Sequence, residues 1–436
     1  MIIIFCPKYN ATGGTELLHQ LGYKLNLFGY NAGMYYYGED NGMPGRHPSF
    51  IKYDVPIVES VYDSKDNIFV YPEAMAYSLA EIKNQLPLSK HILWWLSVDN
   101  AGMTPELEER ISEDTGLIHF VQSYYAMEYV RNKLRVPDGR CYYLSDYLNT
   151  VFLNIDDDTM REDIVLFNPR KGYERTSRLI KSSDHRIKWQ ALAGLPPKEI
   201  PGVLQKAKVY IDFGNHPGKD RFPREAVSCG VRIITGRRGS AANDKDVPIL
   251  DVFKISDESE DRTILAIIYS LIADYEKTGE LYASYKDSIS EEFHCFEEDT
   301  LKAFSKVMEQ PIEEIDQSEQ SLRAAVKDTV IAEDYRRAVY LIAVCRIRQV
   351  EIDEEMMILE GYTRMGIEEH EEALYLMNRL LRNNDKNYEA YLIKARALLA
   401  LGRSGIREAL DNAVRYCAGT EDEEYVRQTA EMIENM

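Results

Sequence analysis

The loop at residues 10–16 combines small residues and two adjacent glycines in a pattern that suits the binding of an anion. Gly13 and Gly14 follow a short apolar run, residues 2–6, and precede leucines at helical spacing. Glycine lets backbone N–H groups approach a ligand, and a helix N-terminus favours negative charge. A tight turn without a ligand is the alternative. The full G-x-G-x-x-G pattern is absent, which counts against a nicotinamide-binding domain.

A second basic turn, Arg170-Lys171-Gly172, follows the apolar run at residues 163–167. Ligands of open α/β folds bind at the carboxyl ends of the strands, so this is a position for a diphosphate. Arginine offers a bidentate fork and lysine a point charge. A solvated basic turn is the alternative, and the acidity of the chain favours the phosphate interpretation.

The segment 216–230 is the richest in candidate groups. Pro223 predicts the first turn of a helix and Gly230 its end, which places Glu225 in the first turn. There a carboxylate can accept hydrogen bonds from both hydroxyls of a ribose, or can serve only as a helix-end charge. The cations Lys219, Arg221 and Arg224 add positive charge beside it.

Candidate groups in the first third of the chain also follow apolar runs. Asp99 comes after the run at residues 91–98, and Glu73 after the run at 67–71. Trp94 and Trp95 could stack on a sugar ring, but their place inside an apolar strand favours the sheet core. The three aspartates 156–158 could form a metal-binding D-x-D motif, although their place in a linker favours a solvated turn.

Strand and helix signals alternate through the first 310 residues, which indicates parallel sheets covered by helices. The pattern restarts after residue 150, so we expect Rossmann-like domains at 1–150 and 151–310. From residue 311 to 436 the signals are helical only. The pairs that begin at Ala338, Ala373 and Ala409 recur at offsets of 35 and 36 residues, which predicts helical hairpin repeats similar to tetratricopeptide repeats.

Composition limits the classes of partner. The chain has 436 residues and a formal net charge of −20, which argues against nucleic acid or an anionic membrane held by bulk charge. Half of that excess, −10, lies in residues 311–436. We expect no transmembrane segment, no leader peptide and no zinc or disulfide framework, and hence a cytoplasmic protein, with peripheral binding at the inner face of the membrane as an alternative.

Three of these segments resemble a GT-B-fold glycosyltransferase of the family 4 type. Gly13-Gly14-Thr15-Glu16 followed by Phe28-Gly29-Tyr30 is similar to the opening of that family. Residues 168–172 resemble the start of its donor-binding half, and residues 222–230 resemble its "G-x-P-x-x-E-A-x-A-x-G" segment. The resemblance covers about residues 1–310.

The resemblance implies two Rossmann-like domains facing a cleft, with an acceptor site in the first and a nucleotide-sugar site in the second. Glu225 matches the ribose-binding glutamate of the family, and Arg170 and Lys171 match its diphosphate-binding pair. The family's first glutamate, which contacts the transferred sugar, would fall at Pro217, so His216, Lys219 or Asp220 must replace it, or the donor differs, or activity is lost.

The function expected is therefore retaining, metal-independent transfer of a sugar from a UDP- or GDP-sugar to an acceptor hydroxyl. The acceptor would be a glycan, a lipid-linked molecule or a protein in surface glycan or glycoprotein synthesis, and no cofactor is expected. The repeats could bind a protein partner, and a non-catalytic, partner-binding or chaperone subunit is the alternative. The candidate catalytic groups are Asp99 and Glu73; the candidate donor-binding groups are Gly13, Gly14, Arg170, Lys171, Lys219, Arg221, Arg224 and Glu225.

Overall fold

The computed structural model describes residues 1–39, 42–155 and 159–434. These residues form two compact units. Unit 1 comprises residues 1–26, 30–148 and 155–308, and unit 2 comprises residues 27–29, 149–154 and 309–436. The three aspartates 156–158 lie outside the described residues.

Unit 1 contains two parallel sheets. Eleven strands form them: β1 (Ile2–Pro7), β2 (Ala32–Tyr37), β3 (Ile68–Pro72), β4 (Lys90–Trp95), β5 (Leu117–Val121), β6 (Cys141–Tyr143), β7 (Glu162–Phe167), β8 (Lys188–Ala191), β9 (Ala207–Asp212), β10 (Arg232–Gly236) and β11 (Lys254–Ile255). The first sheet has the order β2-β1-β3-β4-β5-β6 and the second the order β11-β10-β9-β7-β8. We refer to the parts built on them as the first half and the second half.

Helices cover the strands of unit 1 because the strands are nearly continuous apolar runs that must be buried on both faces. They are α1 (Gly13–Leu27), α2 (Leu79–Gln85), α3 (Pro105–Glu113), α4 (Tyr124–Glu128), α5 (Tyr173–Ser182), α6 (Ile200–Lys206), α7 (Arg221–Ser228), α8 (Asp261–Ala273), α9 (Ala283–Ser290) and α10 (Glu292–Met308). The last of these returns to the first half, where Phe304 packs edge-on against Phe120 of β5 at 5.5 Å.

Each sheet reverses its strand order once. In the first half the reversal lies between β1 and β3, and in the second half between β7 and β9. At such a point the loops on either side leave in opposite directions and open a crevice at the carboxyl edge. The elements therefore bring the loops after β1, β3, β7 and β9 to the positions where a ligand of this fold binds.

Unit 2 is built mainly from α11 (Glu319–Ile331), α12 (Tyr335–Ile347), α13 (Glu354–Gly366), α14 (His370–Asn383), α15 (Tyr388–Ala400), α16 (Ile406–Cys417) and α17 (Glu423–Glu434). Ala338, Ala373 and Ala409 are all buried, and each is the fourth residue of the second helix in a pair. The alanine repeat thus marks equivalent packing positions in three helical hairpins.

No helix among the described residues has both the length and the apolar character needed to span a bilayer.

Candidate active site

The glycine loop lies at the reversal point of the first sheet. Thr12 caps α1, because its hydroxyl accepts from the Thr15 N–H at 3.3 Å while its own N–H donates to the Thr15 hydroxyl at 2.8 Å. A Cβ atom on Gly13 would lie 3.2 Å from Nε of Arg221, in the second half. The loop therefore faces the carboxyl edge of the second sheet.

Glu73 follows β3 and lies beside the glycine loop. Its carboxylate accepts from the backbone N–H of Leu96 at 3.1 Å, and the Leu96 side chain is the nearest neighbour of a Cβ atom built on Gly14. Burial raises the pKa of Glu73 to about 7, although the Leu96 N–H partly opposes this. A carboxyl group that titrates near neutrality can exchange a proton with a reacting hydroxyl.

Asp99 lies in the turn after β4 and is exposed. One carboxylate oxygen accepts from the amide of Asn215 at 2.6 Å, and the other accepts from the hydroxyl of Tyr125 at 3.0 Å. Asn215 belongs to the second half, so Asp99 joins the two carboxyl edges. Both of its oxygens are occupied by protein groups in this structure.

The tryptophans belong to the sheet core, and the sugar-stacking alternative is wrong. Trp94 and Trp95 are fully buried in β4. Their indole N–H groups donate to the carbonyl of Leu144 and to Nδ1 of His119, each at 3.0 Å. Neither ring offers a face to a ligand.

Arg170 and Lys171 occupy the turn between β7 and α5, at the reversal point of the second sheet. The Arg170 side chain is exposed, while its N–H donates to the side chain of Asn168 at 3.0 Å. The Lys171 ammonium pairs with Asp220. The structure thus holds the Lys171 ammonium in place and leaves Arg170 exposed to solvent.

The positive charge expected around residues 219–224 is neutralised, which corrects the prediction of a local cationic excess. Arg224 is fully buried; it pairs with Asp146 at 2.8 Å and with Glu292 at 2.7 Å. Lys219 pairs with Glu292 at 2.9 Å, and Arg221 pairs with Glu16 of α1. Three cations therefore face three carboxylates, and these ion pairs give the cations a structural role. Their predicted role in donor binding stays a prediction.

Glu225 lies two residues further into its helix than predicted. Because α7 begins at Arg221 rather than at Pro223, Glu225 belongs to the second turn. Its side chain is 8% exposed, and one carboxylate oxygen is buried without a hydrogen-bond partner. Burial raises the pKa of this carboxyl group to about 7, against the opposing effect of Arg221 and Arg224.

The two halves meet through the segment that carries Pro217. The backbone N–H of Val98 donates to the Pro217 carbonyl at 2.8 Å, and a Cβ atom on Gly218 would overlap the carbonyl of Leu96. Asp246 of the second half caps α4 of the first, since its carboxylate accepts from the N–H groups of Tyr124 and Tyr125, both at 2.8 Å. Sequence reasoning gave no sign of these contacts.

One set of side chains in the described residues brings metal-ligand atoms together: Asp212, His216 and Asp220, all within 4.8 Å of one another. The Lys171 ammonium pairs with the same Asp220. His216 lies 2.8 Å from that carboxylate. Two positive groups therefore already balance the two carboxylates, which disfavours an additional divalent cation at this place.

No protein-family model and no curated protein sequence matches the chain. Solved structures do match. A glycosyltransferase from Rickettsia africae ESF-5 is 10% identical with a TM-score of 0.56, over 71% of this chain and 99% of that one. A sucrose-phosphate synthase from Thermosynechococcus elongatus is 14% identical with a TM-score of 0.49, over 70% and 98%. At such identities the similarity concerns the fold.

A lipopolysaccharide outer core galactosyltransferase is 9% identical with a TM-score of 0.48, over 71% of this chain and 99% of that one. The assignment of the fold rests on the Rickettsia structure, because its TM-score is higher than those of the other two and the match extends over nearly its whole chain. Two parallel sheets, each with one reversal of strand order and with their carboxyl edges in contact, agree with it. The chain has the GT-B fold of glycosyltransferases, followed by a C-terminal helical region.

Proposed function

We propose that the protein transfers a glycosyl group from a nucleotide-diphosphate sugar to an acceptor hydroxyl. The observation that carries this proposal is the Glu225 carboxylate, which is almost fully buried and has one oxygen without a hydrogen-bond partner. Burying an unsatisfied carboxylate costs free energy that folding does not recover. A ligand with two neighbouring hydroxyl groups, such as a ribose, would satisfy it.

Groups at the carboxyl edges of both sheets support the same proposal. Arg170 and Lys171 would hold the diphosphate and stabilise the negative charge that grows as the glycosidic bond breaks. Glu73 would accept or return a proton on the acceptor side, because its pKa lies near 7. Asp99 would contribute after the Asn215 and Tyr125 contacts open. No step in this scheme needs a metal or a cofactor.

The donor is a UDP- or GDP-sugar in this proposal, and the transfer retains the anomeric configuration. Glycans, lipid-linked molecules and proteins are the classes of acceptor proposed, as in surface glycan or glycoprotein synthesis. We also propose domains at residues 1–150, 151–310 and 311–436, with the last recruiting a protein partner through repeats similar to tetratricopeptide repeats. Action in the cytoplasm, at the inner face of the membrane, fits such acceptors.

The test of this proposal is the binding of UDP, GDP and dTDP by calorimetry to the wild-type protein and to the Glu225→Ala variant. We expect one of them to bind, and the variant to bind it more weakly by about 1–3 kcal/mol, because charge-assisted hydrogen bonds are lost. Glu174→Ala, in an exposed position of α5, is the matched control and should not change the affinity. Equal affinity of Glu225→Ala and the wild type would exclude the ribose role.

The second candidate function is that of a non-catalytic, glycosyltransferase-like subunit. Pro217 favours it, because the resemblance puts the sugar-binding glutamate of the family at this position, and here the Pro217 carbonyl accepts from the N–H of Val98. Such a subunit would bind a nucleotide, or none, without turning over a donor. Release of free nucleotide from a donor sugar therefore separates the two candidates.

A further inference from the structure

Four charged side chains form a chain of contacts beneath the Arg170–Lys171 turn. Oδ2 of Asp220 pairs with the Lys171 ammonium and lies 2.8 Å from Nδ1 of His216. On the other side of the imidazole, Nε2 lies 3.5 Å from Oδ1 of Asp212. We call Lys171, Asp220, His216 and Asp212 the charge chain.

The far end of the charge chain is anchored in the sheet. Asp212 is the last residue of β9, and its carboxylate accepts from the hydroxyl of Tyr210 at 2.9 Å and from the N–H of Gly214 at 3.1 Å. His216 is completely buried, so it cannot contact a ligand itself. Any effect of His216 on a ligand must pass through Asp220 and Lys171.

The backbones that carry the charge chain are interlocked. A Cβ atom on Gly172 would lie 2.7 Å from the carbonyl carbon of Phe213, and one on Gly214 would overlap the Cβ of Lys171. Gly172 also has a φ of +62°, which favours glycine. The turns after β7 and β9 are therefore in direct contact, and Lys171 is fixed at its backbone as well as at its ammonium.

We propose that His216 is a positioning residue that holds Asp220 between two cations, so that Lys171 presents its ammonium to the diphosphate of the donor. This inference rests on the proposed function. Without a charge on His216, Asp212 and Asp220 would outnumber Lys171 and give the charge chain a net charge of −1. With the imidazolium the sum is zero, and the repulsion of an incoming diphosphate disappears.

The protonation of His216 agrees with this arrangement. Burial lowers the pKa of its imidazole, but Asp212 and Asp220 outweigh that effect and raise the pKa to about 9. Tyr210, the other titratable group at this end of β9, has a pKa raised by burial and by Asp212. At neutral pH the charge chain therefore holds two cations and two carboxylates.

The experiment is the calorimetric titration of the full chain with inorganic pyrophosphate at pH 7.5. We expect His216→Gln to weaken binding about tenfold, because the charge chain becomes net negative. Adding Asp212→Asn to His216→Gln restores neutrality and should return the affinity to within about threefold of wild type. His185→Gln, at an exposed position of the second half, is the control and should bind as wild type does.

A merely structural role for His216 predicts another pattern. Asp212→Asn would then deepen the loss caused by His216→Gln instead of reversing it, and this outcome would overturn the inference. Unchanged affinity in His216→Gln, no binding of pyrophosphate by the wild type, or binding only with added Mn²⁺ would overturn it as well.

A pH series from 7.5 to 9.5 keeps the inference testable if His216→Gln does not fold. Asp212→Asn removes one of the two carboxylates that raise the pKa of His216, so we expect His216 to be neutral in this variant and its charge chain to stay neutral from pH 7.5 upward. Wild-type affinity should therefore fall through this range relative to the Asp212→Asn variant. A parallel course of the two curves would contradict the inference. If pyrophosphate follows the expected pattern while no sugar donor is turned over, the positioning role stands and the proposed function fails.

Discussion

The pKa of the Glu73 carboxyl group is higher in the native state than in the unfolded chain. Its pKa rises from 4.5 to about 7 because the effect of burial outweighs the backbone hydrogen bonds, including that from Leu96, which lower the pKa. Since the native state binds the proton more tightly, the group stabilises the fold below pH 4.5 relative to higher pH. That contribution is lost as the pH rises through 7.

Glu73→Gln should therefore stabilise the protein at pH 8 and leave its stability at pH 4.5 nearly unchanged. The expected gain at pH 8 is up to about 3 kcal/mol, because the amide carries no charge to bury and can still accept from Leu96. Urea denaturation at the two pH values measures it, with the exposed Glu174→Gln as control. A variant that is less stable than the wild type at pH 8 would contradict this interpretation of Glu73.

Arg224 differs from Glu73 because its charge is buried together with charges of opposite sign, on Asp146 and Glu292. Burial lowers the pKa of its guanidinium, but Asp146 and Glu292 more than compensate and raise it. Arg224→Ala would remove one cationic partner from each of the two buried carboxylates, so we expect a loss of roughly 3–5 kcal/mol in the free energy of unfolding.

Arg186→Ala is the comparison for Arg224→Ala, because Arg186 pairs with Asp184 at 2.8 Å but is 76% exposed. The loss of this exposed ion pair should cost much less, because water screens the two charges. Equal losses in the two variants, measured by urea denaturation, would mean that the buried pairs do not stabilise unit 1 as described.

At the scale of elements, the turn that contains Gly218 sets how closely the two halves approach. No left-handed backbone angle requires glycine there, so the restriction is the space in front of the Leu96 carbonyl. Gly218→Ala should therefore destabilise the contact between the two halves by about 1–3 kcal/mol. Gly14→Ala is the matched control, since its Cβ would lie 3.5 Å from Leu96, an ordinary contact. Equal melting temperatures of Gly218→Ala and wild type would show that the halves do not meet at this point.

The elements themselves were largely predictable because apolar runs and glycines are local signals. The apolar run at residues 2–6 lies within β1 (Ile2–Pro7), whereas β4 ends at Trp95 instead of Val98. The early start of α7 was not predictable. Asp220 occupies its N-cap position but makes no capping bond, because its carboxylate faces Lys171 and His216. The contacts of Asp220 with Lys171 and His216 thus take the place of the capping hydrogen bond that would have marked the helix start in the sequence.

The candidate site was less predictable for the same reason. The partners of Arg221 and Arg224 come from Glu16, Asp146 and Glu292, which lie 68 to 205 positions away in the chain. Residue types alone suggested a cationic patch, and only the folded arrangement shows that carboxylates neutralise it. The unsatisfied oxygen of Glu225 is likewise a property of packing.

At the scale of the whole molecule, unit 2 takes in two segments from the first 310 residues, 27–29 and 149–154. Within it, the hydroxyl of Thr150 donates to Glu372 at 2.8 Å, and the amide of Asn154 donates to the backbone carbonyl of Glu371 at 2.8 Å. Residues 149–154 therefore depend on the helical region for their packing.

A chain that ends at Gln310 should consequently fold and bind the same nucleotide as the full chain, but melt several degrees lower. Its residues 149–154, including the buried Phe152, lose their packing partners, while α10 and all eleven strands remain. Calorimetry and thermal melting of the truncated chain measure the two effects. An insoluble or non-binding truncated chain would show that unit 1 is not an independent folding unit.

Glycosyl transfer itself is measured by the release of free nucleotide from a panel of UDP-, GDP- and dTDP-sugars incubated with the full-length protein. We predict release from one donor by the wild type and by Glu174→Ala, and a strongly reduced release by Glu225→Ala. No release from any donor, together with no nucleotide-dependent change in melting temperature, would contradict the claim and favour the non-catalytic subunit.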